Sequence, residues 1–222
     1  MQIILYTIKL LFTASKNNSF LPGGKTFWLS LGIFCCLGML VVLWQILRAK
    51  DTRWQVELEP VMIQAAQRNE VPLALLKAVI WKESRFKPNS RGSHGEIGLM
   101  QLMPIAIEQW RQDNKVSKTP SEQELFNPEV NVAIGAWYLA WCGRHWKGYR
   151  SQELLQVSEY NAGYRLVSTQ WKPAKPQAEV PLSAITIKST RKYTQAVLER
   201  RAYYEQLAAS RSASPTDIGT VK

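Results

Sequence analysis

The sequence predicts a mainly α-helical protein, with a single N-terminal transmembrane helix followed by one globular helical domain. The length of 222 residues, 46% hydrophobic and 20% charged, suits one ordinary domain with an appendage. One long apolar run without charges lies near the N-terminus. Beyond that run, apolar residues recur at helical spacing and several prolines stand where a helix would begin, while no alternating strand pattern or internal repeat is found.

The apolar run at residues 26–47 contains no acidic or basic side chain and is bounded by Lys25 and Arg48. At about 1.5 Å per residue, a helix of this length crosses the roughly 30 Å hydrocarbon core of a bilayer. Trp28 and Trp44 lie near its ends, where indole rings favour the headgroup level. A cleaved signal peptide has a shorter apolar region and a small-residue cleavage site, which this sequence lacks. The pattern predicts a retained anchor.

The formal net charge of +11 is concentrated near the N-terminus, because five of these charges fall within the first 50 residues, which contain no acid. The charge of the remaining chain is modest, so nucleic-acid binding is not expected. The predicted organisation is an N-terminal segment at 1–25, the anchor at 26–47, a linker at 48–58, the helical domain at 59–207 and a disordered tail at 208–222. Basic residues flank the anchor on both sides, so charge alone does not orient it.

Helices within the domain are predicted from apolar spacing and from the positions of proline. They cover 59–68, 72–84, 104–110, 128–144, 152–162 and 190–207, with a Gly- and Ser-rich loop at 89–98 and a proline-rich extended loop at 171–181. Three Cys and two His form neither a disulfide framework nor a common zinc site, so no metal and no cofactor are expected. Cys142 is expected in the core, and His145 at a helix end near the helix dipole.

Glu83 is a carboxylate in an unexpected position, because it continues the apolar stripe of Leu76, Val79 and Ile80 in the second domain helix. Burial disfavours the charged form and raises a carboxyl pKa, which allows the group to hold and donate a proton near neutral pH. A general acid at a glycosidic oxygen has this requirement. The alternative is a solvated helix end, or an ion pair with Lys82, Arg85 or Lys87.

Two further segments carry neutral hydrogen-bonding groups beside glycines: GLMQLMP at 98–104 and YNAG at 160–163. Gln, Asn and Tyr side chains suit sugar hydroxyls and N-acetyl amides, and glycine permits close backbone approach. Each segment also has a structural interpretation. The first is compatible with a loop that ends at a helix start, and the second with a helix end closed by Gly163.

Taken in order, these segments resemble the lytic transglycosylases of the soluble-lytic-transglycosylase (SLT) type, relatives of goose-type lysozyme. The resemblance covers about 59–207 and implies the lysozyme-like fold, a mainly helical member of an α+β superfamily. The matching positions are Glu83-Ser84 with Phe86 and Pro88, then 98–104, 127–139, 160–163 and 190–197.

The resemblance also implies roles for individual residues. Glu83 corresponds to the single catalytic acid and Ser84 to its hydrogen-bonding neighbour. Glycan-binding positions are implied at Met100, Gln101, Met103, Tyr160, Asn161 and Tyr193. The sequence departs from the family pattern at Lys87, Gly92, Glu96, Glu159 and Ser189.

The implied function is cleavage of the β-1,4 bond between N-acetylmuramic acid and N-acetylglucosamine in peptidoglycan, without water and with a 1,6-anhydro product. One alternative is a hydrolytic muramidase in which Glu96 positions a water molecule. Another is a glycan-binding or assembly protein without catalysis. Because peptidoglycan lies outside the cytoplasmic membrane, the expected partners are glycan strands and the membrane, with the domain on the outer side. The sequence names no protein partner.

Overall fold

The computed structural model describes the backbone of residues 24–213, and the side-chain surroundings of residues 31, 33–43 and 55–212. Helices dominate this part of the chain. In order they are α1 (Gly24–Arg68), α2 (Leu73–Ser84), α3 (Pro104–Asp113), α4 (Glu122–Leu125), α5 (Pro128–His145), α6 (Gln152–Ala162), α7 (Tyr164–Gln170), a short 3₁₀ turn (Leu182–Ala184) and α8 (Lys188–Ala213).

Helix α1 differs from the prediction, because it includes residues 48–58 and does not begin anew at residue 59. Pro60 lies inside the helix, whereas the sequence predicts it in the first turn of a separate helix at 59–68. A proline removes one backbone donor from a helix interior, a cost that the rest of a long helix tolerates here. Residues 48–58, which the sequence predicts as a linker, are therefore helical. The internal contacts of the chain divide it into two units after Lys50, which lies within this stretch.

Among the residues that the structure describes, no helix combines the length and the apolar character that crossing a membrane requires. The anchor predicted at 26–47 falls within α1, but several side chains at both of its ends lie outside the described set. Residues 1–23 of the predicted N-terminal segment and residues 214–222 of the predicted tail also lie outside it. The anchor therefore stays a prediction.

Helix α2 forms the centre of the domain core. It packs against α8, and α6 packs against both α5 and α8. Leu76, Val79 and Ile80 are fully buried, which confirms the apolar stripe predicted for α2. Cys142 is likewise buried as predicted. The core thus covers the face of α2 on which Glu83 lies.

The proline-rich loop after α7 is held by a second apolar cluster. Trp146, Trp171 and Ile185 are buried there, and the indole of Trp171 donates a hydrogen bond to Thr186. The sequence analysis did not predict α4 or α7, which are four and seven residues long and too short for a periodic pattern. Helix α8 extends to residue 213, so residues 208–213, predicted as disordered, are helical.

Candidate active site

The loop between α2 and α3 folds back on itself through backbone hydrogen bonds. Arg91 and Ile97 form one isolated antiparallel bridge, and Ile97 and Leu102 form another. Gly95 has φ 88°, Gly98 has φ 78° and Gln101 has φ 47°, so residues 91–102 contain three left-handed positions. Glycine adopts this conformation without cost, whereas Gln101 is held there by its surroundings.

Asn131 of α5 fixes this loop against the helical core. Its side chain is fully buried, accepts a hydrogen bond from the Met100 amide at 2.9 Å, and donates to the carbonyls of Ile97 and Leu125 at 3.0 and 2.7 Å. A Cβ at Gly98 would stand 2.2 Å from the Asn131 amide nitrogen. Glycine is therefore required at position 98 by this close approach as well as by its conformation.

Gly135, one turn after Asn131, provides the space for Met100. A Cβ at this glycine would lie 2.2 Å from the Met100 sulfur. The Met100 side chain is fully buried. The Met100 side chain therefore anchors the loop on α5, and the contact with substrate that the sequence predicts for Met100 stays a prediction.

Helix α2 ends immediately after Glu83. Arg85 and Phe86 have φ 54° and 60°, and this left-handed geometry stops the helix. Phe86 is buried, and the Ser84 hydroxyl donates to the Ile80 carbonyl at 3.2 Å. The helix end is therefore packed against protein, in contrast to the solvated end considered from sequence. The Ser84 hydroxyl bonds its own helix here, and the hydrogen-bonding role beside Glu83 predicted for Ser84 stays a prediction.

Glu83 receives one side-chain hydrogen bond, from the hydroxyl of Tyr193 on α8 at 2.5 Å. Burial raises the pKa of Glu83 to about 7, against the lowering effects of the Tyr193 hydrogen bond and the Lys82 charge. The charge of Glu96 acts in the raising direction. A carboxyl in this state exchanges a proton near neutral pH.

Tyr160 of α6 brings the loop and Glu83 together. Its hydroxyl donates to the Met100 carbonyl at 2.9 Å, and the charge of Glu83 contributes to raising its pKa, after the larger effect of burial. Tyr193 shows the same two effects on its pKa. Helices α2, α6 and α8 thus meet the loop at one point.

The other predicted binding residues lie around this point with different exposures. The Gln101 amide donates to the carbonyls of Ser90 and Gly98, at 3.2 and 2.8 Å, and so braces the loop. Met103 is 39% exposed at the start of α3, and Asn161 is exposed at the end of α6. Within the part of the chain that the structure describes, no three His, Cys, Asp or Glu side chains form a metal-holding group.

Glu96 lies in the same loop over the bare backbone of Gly92. A Cβ at Gly92 would meet the Glu96 carboxylate oxygen at 2.1 Å, and the His94 amide donates to that carboxylate at 2.8 Å. Hydrogen bonds from its own backbone and from His94 lower the pKa of Glu96. Gly92 and Glu96 both depart from the family pattern, and the glycine at 92 leaves the space that the Glu96 carboxylate occupies.

A fully buried carboxylate, Glu159 of α6, has interactions that were not predicted from the sequence. It accepts a hydrogen bond from the Trp146 indole at 2.7 Å and is paired with Nδ1 of His145 at 2.7 Å. Burial raises the pKa of Glu159, and the hydrogen bond with His145 opposes this. Leu155 and Glu159 are four residues apart on one helix face, a spacing that would have indicated burial. His145 lies at a helix end as predicted, but with a carboxylate partner.

Residues 60–180 match the family described as the transglycosylase SLT domain. The matched segment exceeds half of the 222 residues. The chain belongs to this family.

Individual relatives agree with this assignment. The chain is 26% identical over 135 residues to membrane-bound lytic murein transglycosylase E of Buchnera aphidicola, covering 58% of this chain and 60% of that protein. It is 28% identical over 138 residues to the soluble lytic murein transglycosylase of Escherichia coli, covering 61% of this chain and 21% of that protein. The chain therefore spans less than two thirds of either relative.

Solved structures share the fold. A lytic transglycosylase Slt from Pseudomonas aeruginosa, solved as an inactive mutant with glutamine in place of a glutamate, aligns with TM-score 0.62 and 26% identity, over 72% of this chain and 26% of that one. The 70 kDa soluble lytic transglycosylase of Escherichia coli aligns with TM-score 0.60 and 25% identity, over 68% and 24% respectively. These similarities support the lysozyme-like interpretation of the helical domain.

Proposed function

We propose that this protein is a peptidoglycan lytic transglycosylase with Glu83 as its general acid and then its general base. One observation carries the proposal: a carboxyl with a pKa of about 7 lies at the meeting point of three helices and the loop of an SLT domain. The relatives named above are lytic transglycosylases, and one of them is inactive as a glutamate-to-glutamine mutant.

In the first step, protonated Glu83 gives its proton to the oxygen that joins N-acetylmuramic acid to N-acetylglucosamine. The bond between that oxygen and the anomeric carbon breaks, and the N-acetylglucosamine end leaves with a free 4-hydroxyl. Most glycosidases use a second carboxylate at this stage, but substrate-assisted enzymes do not. Here the N-acetyl carbonyl oxygen of the muramic acid supports the positive charge at the anomeric carbon.

In the second step, ionised Glu83 removes the proton from the 6-hydroxyl of the same muramic acid. The 6-oxygen bonds to the anomeric carbon, which neutralises the positive charge that the N-acetyl oxygen supported, and the 1,6-anhydro ring closes. Glu83 regains its proton, so the carboxyl returns to its starting state and no water is consumed. The Tyr193 hydroxyl, 2.5 Å from Glu83, stabilises the ionised form between the two steps.

The experiment is product analysis by mass spectrometry after the full chain is incubated with purified peptidoglycan. Glu83→Gln (E83Q) removes the acid at nearly constant shape, and anhydromuropeptide release should fall by about 10²- to 10⁴-fold. Glu199→Gln (E199Q) is a matched control, because this exposed residue contacts only Gln195 of its own helix among the described hydrogen bonds. Unchanged release by E83Q would contradict the proposal, as would saturable binding of peptidoglycan without any cleavage by the native chain.

A hydrolytic muramidase is the second candidate, and Glu96 is the residue on which it depends. The carboxylate of Glu96 has a lowered pKa, so it is an ionised acceptor for a water hydrogen at neutral pH, and its charge contributes to raising the pKa of Glu83. Hydrolysis adds one water to the product, so the mass of the released muropeptide separates the two reactions. Reducing ends that disappear in Glu96→Gln while anhydro products persist would assign hydrolysis to Glu96.

We further propose that residues 26–47 anchor the domain on the outer side of the cytoplasmic membrane, with residues 1–25 inside. The charge-free run supports this, and so does the exposure of large apolar side chains within it, such as Phe34 at 65% and Met39 at 65%. Protease treatment of spheroplasts should digest the C-terminal domain. A domain that is cut only after the cells are lysed would contradict this orientation.

A further inference from the structure

Five aromatic rings form a continuous row that begins at the candidate active site. Tyr160 packs on Tyr138 with ring centroids 5.5 Å apart, and Tyr138 stacks on Trp141 at 5.7 Å. The rings of Trp141 and His145 pack in a T-shaped arrangement with centroids 4.2 Å apart, and the centroids of His145 and Tyr164 are 4.6 Å apart. The row joins α5, α6 and α7, and Tyr164 at its far end is 48% exposed.

A cavity of about 620 Å³ lies along this row, between α3, α5 and α7. Tyr138, Trp141 and Tyr164 line one part of it, and the amides of Gln109 and Gln170 line another. The size is typical of a ligand site that combines apolar surface with a few polar groups. None of the lining residues is acidic, and Arg165 contributes a positive charge.

These groups match the chemistry of an N-acetylated saccharide. The aliphatic faces of a pyranose ring pack on aromatic rings, and its hydroxyl and N-acetyl groups bond to amide side chains. A cation and the lack of an acid also suit a sugar that bears a carboxylate. Gly163, with φ 82°, also lines the cavity between α6 and α7, and a Cβ there would meet no atom within 4 Å.

Glu159 holds His145, one of the rings of this row, by a hydrogen bond. It is fully buried, and its two oxygens hold the His145 imidazole and the Trp146 indole, each at 2.7 Å. Trp146 in turn packs on Tyr164 at 6.1 Å. Loss of this carboxylate would leave the buried indole nitrogen of Trp146 and the part-buried Nδ1 of His145 without this partner, and would release the His145 ring from its fixed position.

The geometry points to Glu159 as a positioning residue for a saccharide site: through His145 and Trp146 it orders the wall formed by Tyr138, Trp141 and Tyr164, which binds an N-acetylated sugar unit beyond the reacting bond. This inference rests on the proposed function, because the sugar belongs to the same glycan strand. Glu159 itself touches no sugar and acts only through the rings that it holds.

The test is calorimetric titration of the full chain in detergent with the N-acetylglucosamine trimer. Tyr164→Ala (Y164A) and Trp141→Ala (W141A) each remove one ring of the wall, and the Kd should rise about three- to tenfold. Tyr203→Ala is the control, because Tyr203 is similarly exposed at 49% but lies on α8 outside the row. An unchanged Kd in Y164A and W141A, or no binding by the native chain at millimolar trimer, would overturn the inference.

The role of Glu159 is tested by two substitutions of different chemistry. Glu159→Ala (E159A) should raise the Kd to the same extent as Y164A. Glu159→Gln (E159Q) should restore it to within about twofold, because an amide oxygen accepts from Trp146 and the amide nitrogen donates to an unprotonated His145 Nδ1. A native Kd in E159A, or the same loss in both variants, would remove Glu159 from the site.

Steady-state cleavage of peptidoglycan separates this inference from the proposed function. Y164A and E159A should raise KM with little change in kcat, because the wall contributes binding away from the reacting bond. A native chain that cleaves, with unchanged KM in Y164A, contradicts the inference alone. A native chain that binds the trimer through Tyr164 but does not cleave contradicts the proposed function alone.

Discussion

Two carboxylates of the same domain, the part-buried Glu83 and the fully buried Glu159, are held by different numbers of partners. Glu83 receives one side-chain hydrogen bond, from Tyr193, at the end of a helix where the loop approaches. Glu159 is fully buried inside α6 and has a partner for each oxygen, His145 and Trp146. Burial raises the pKa of both groups, so burial alone does not distinguish them.

What distinguishes the two carboxylates is the number of free acceptor positions. Glu159 has both oxygens occupied and serves the packing around it. Glu83 keeps one oxygen without a side-chain partner among the described residues, and this oxygen is available to a substrate. Under the proposed function, the carboxyl assigned to catalysis is the one with an incomplete set of hydrogen bonds, and the one with a complete set has a structural role.

The sharpest test of this contrast exchanges each carboxylate for the matching amide. E83Q should lose about 10²- to 10⁴-fold in kcat for anhydromuropeptide release. E159Q should keep kcat within about threefold, because Gln can satisfy both partners of Glu159. Cleavage kinetics on one peptidoglycan preparation give both values. Similar losses in the two variants would show that the number of partners does not separate the roles.

A second test compares the stability of two variants of Glu159. E159A leaves the indole nitrogen of Trp146 and the imidazole of His145 without their partner, and should lower the free energy of unfolding by roughly 2–3 kcal/mol. E159Q should cost less than about 1.5 kcal/mol. Urea unfolding of both variants provides the comparison. Equal values for E159A and E159Q would mean that the hydrogen bonds of Glu159 do not stabilise the fold.

A third test uses pH. The pKa of Glu83 rises from 4.5 to about 7 on folding, so its contribution to stability is fully present below about pH 4.5 and is lost as pH rises through about 7. E83Q has no such dependence. The stability of E83Q relative to the native chain should therefore increase between pH 4 and pH 8, by at most about 3 kcal/mol. Other titrating groups are common to both chains and cancel, so a pH-independent difference would show that the pKa of Glu83 is not raised.

The sequence predicted Glu83 because an acid on an apolar stripe leaves a clear periodic signal. It did not predict the pairing of Glu159 with His145, because this contact joins two helices and depends on tertiary packing. The same limit applies to Asn131, which lies inside a segment matched to the family but contacts the loop over 30 residues away in the chain. The long helices were predicted almost to the residue where Pro or Gly marks an end, whereas α1 continues through Pro60 without a sequence signal.

The smallest expected effect concerns the single hydrogen bond to Glu83. Tyr193→Phe removes the hydroxyl and keeps the ring, so kcat should fall about tenfold because the ionised form of Glu83 loses its donor. That hydrogen bond lowers the pKa of Glu83, so its removal should raise the pKa further and shift the alkaline decline of activity to higher pH. Tyr204→Phe is the matched control, because this buried tyrosine on the same helix bonds Gln55. A fall in kcat without a shift of the pH profile would mean that Tyr193 orders the site without acting on the carboxyl, and the contrast between Glu83 and Glu159 would then rest on position alone.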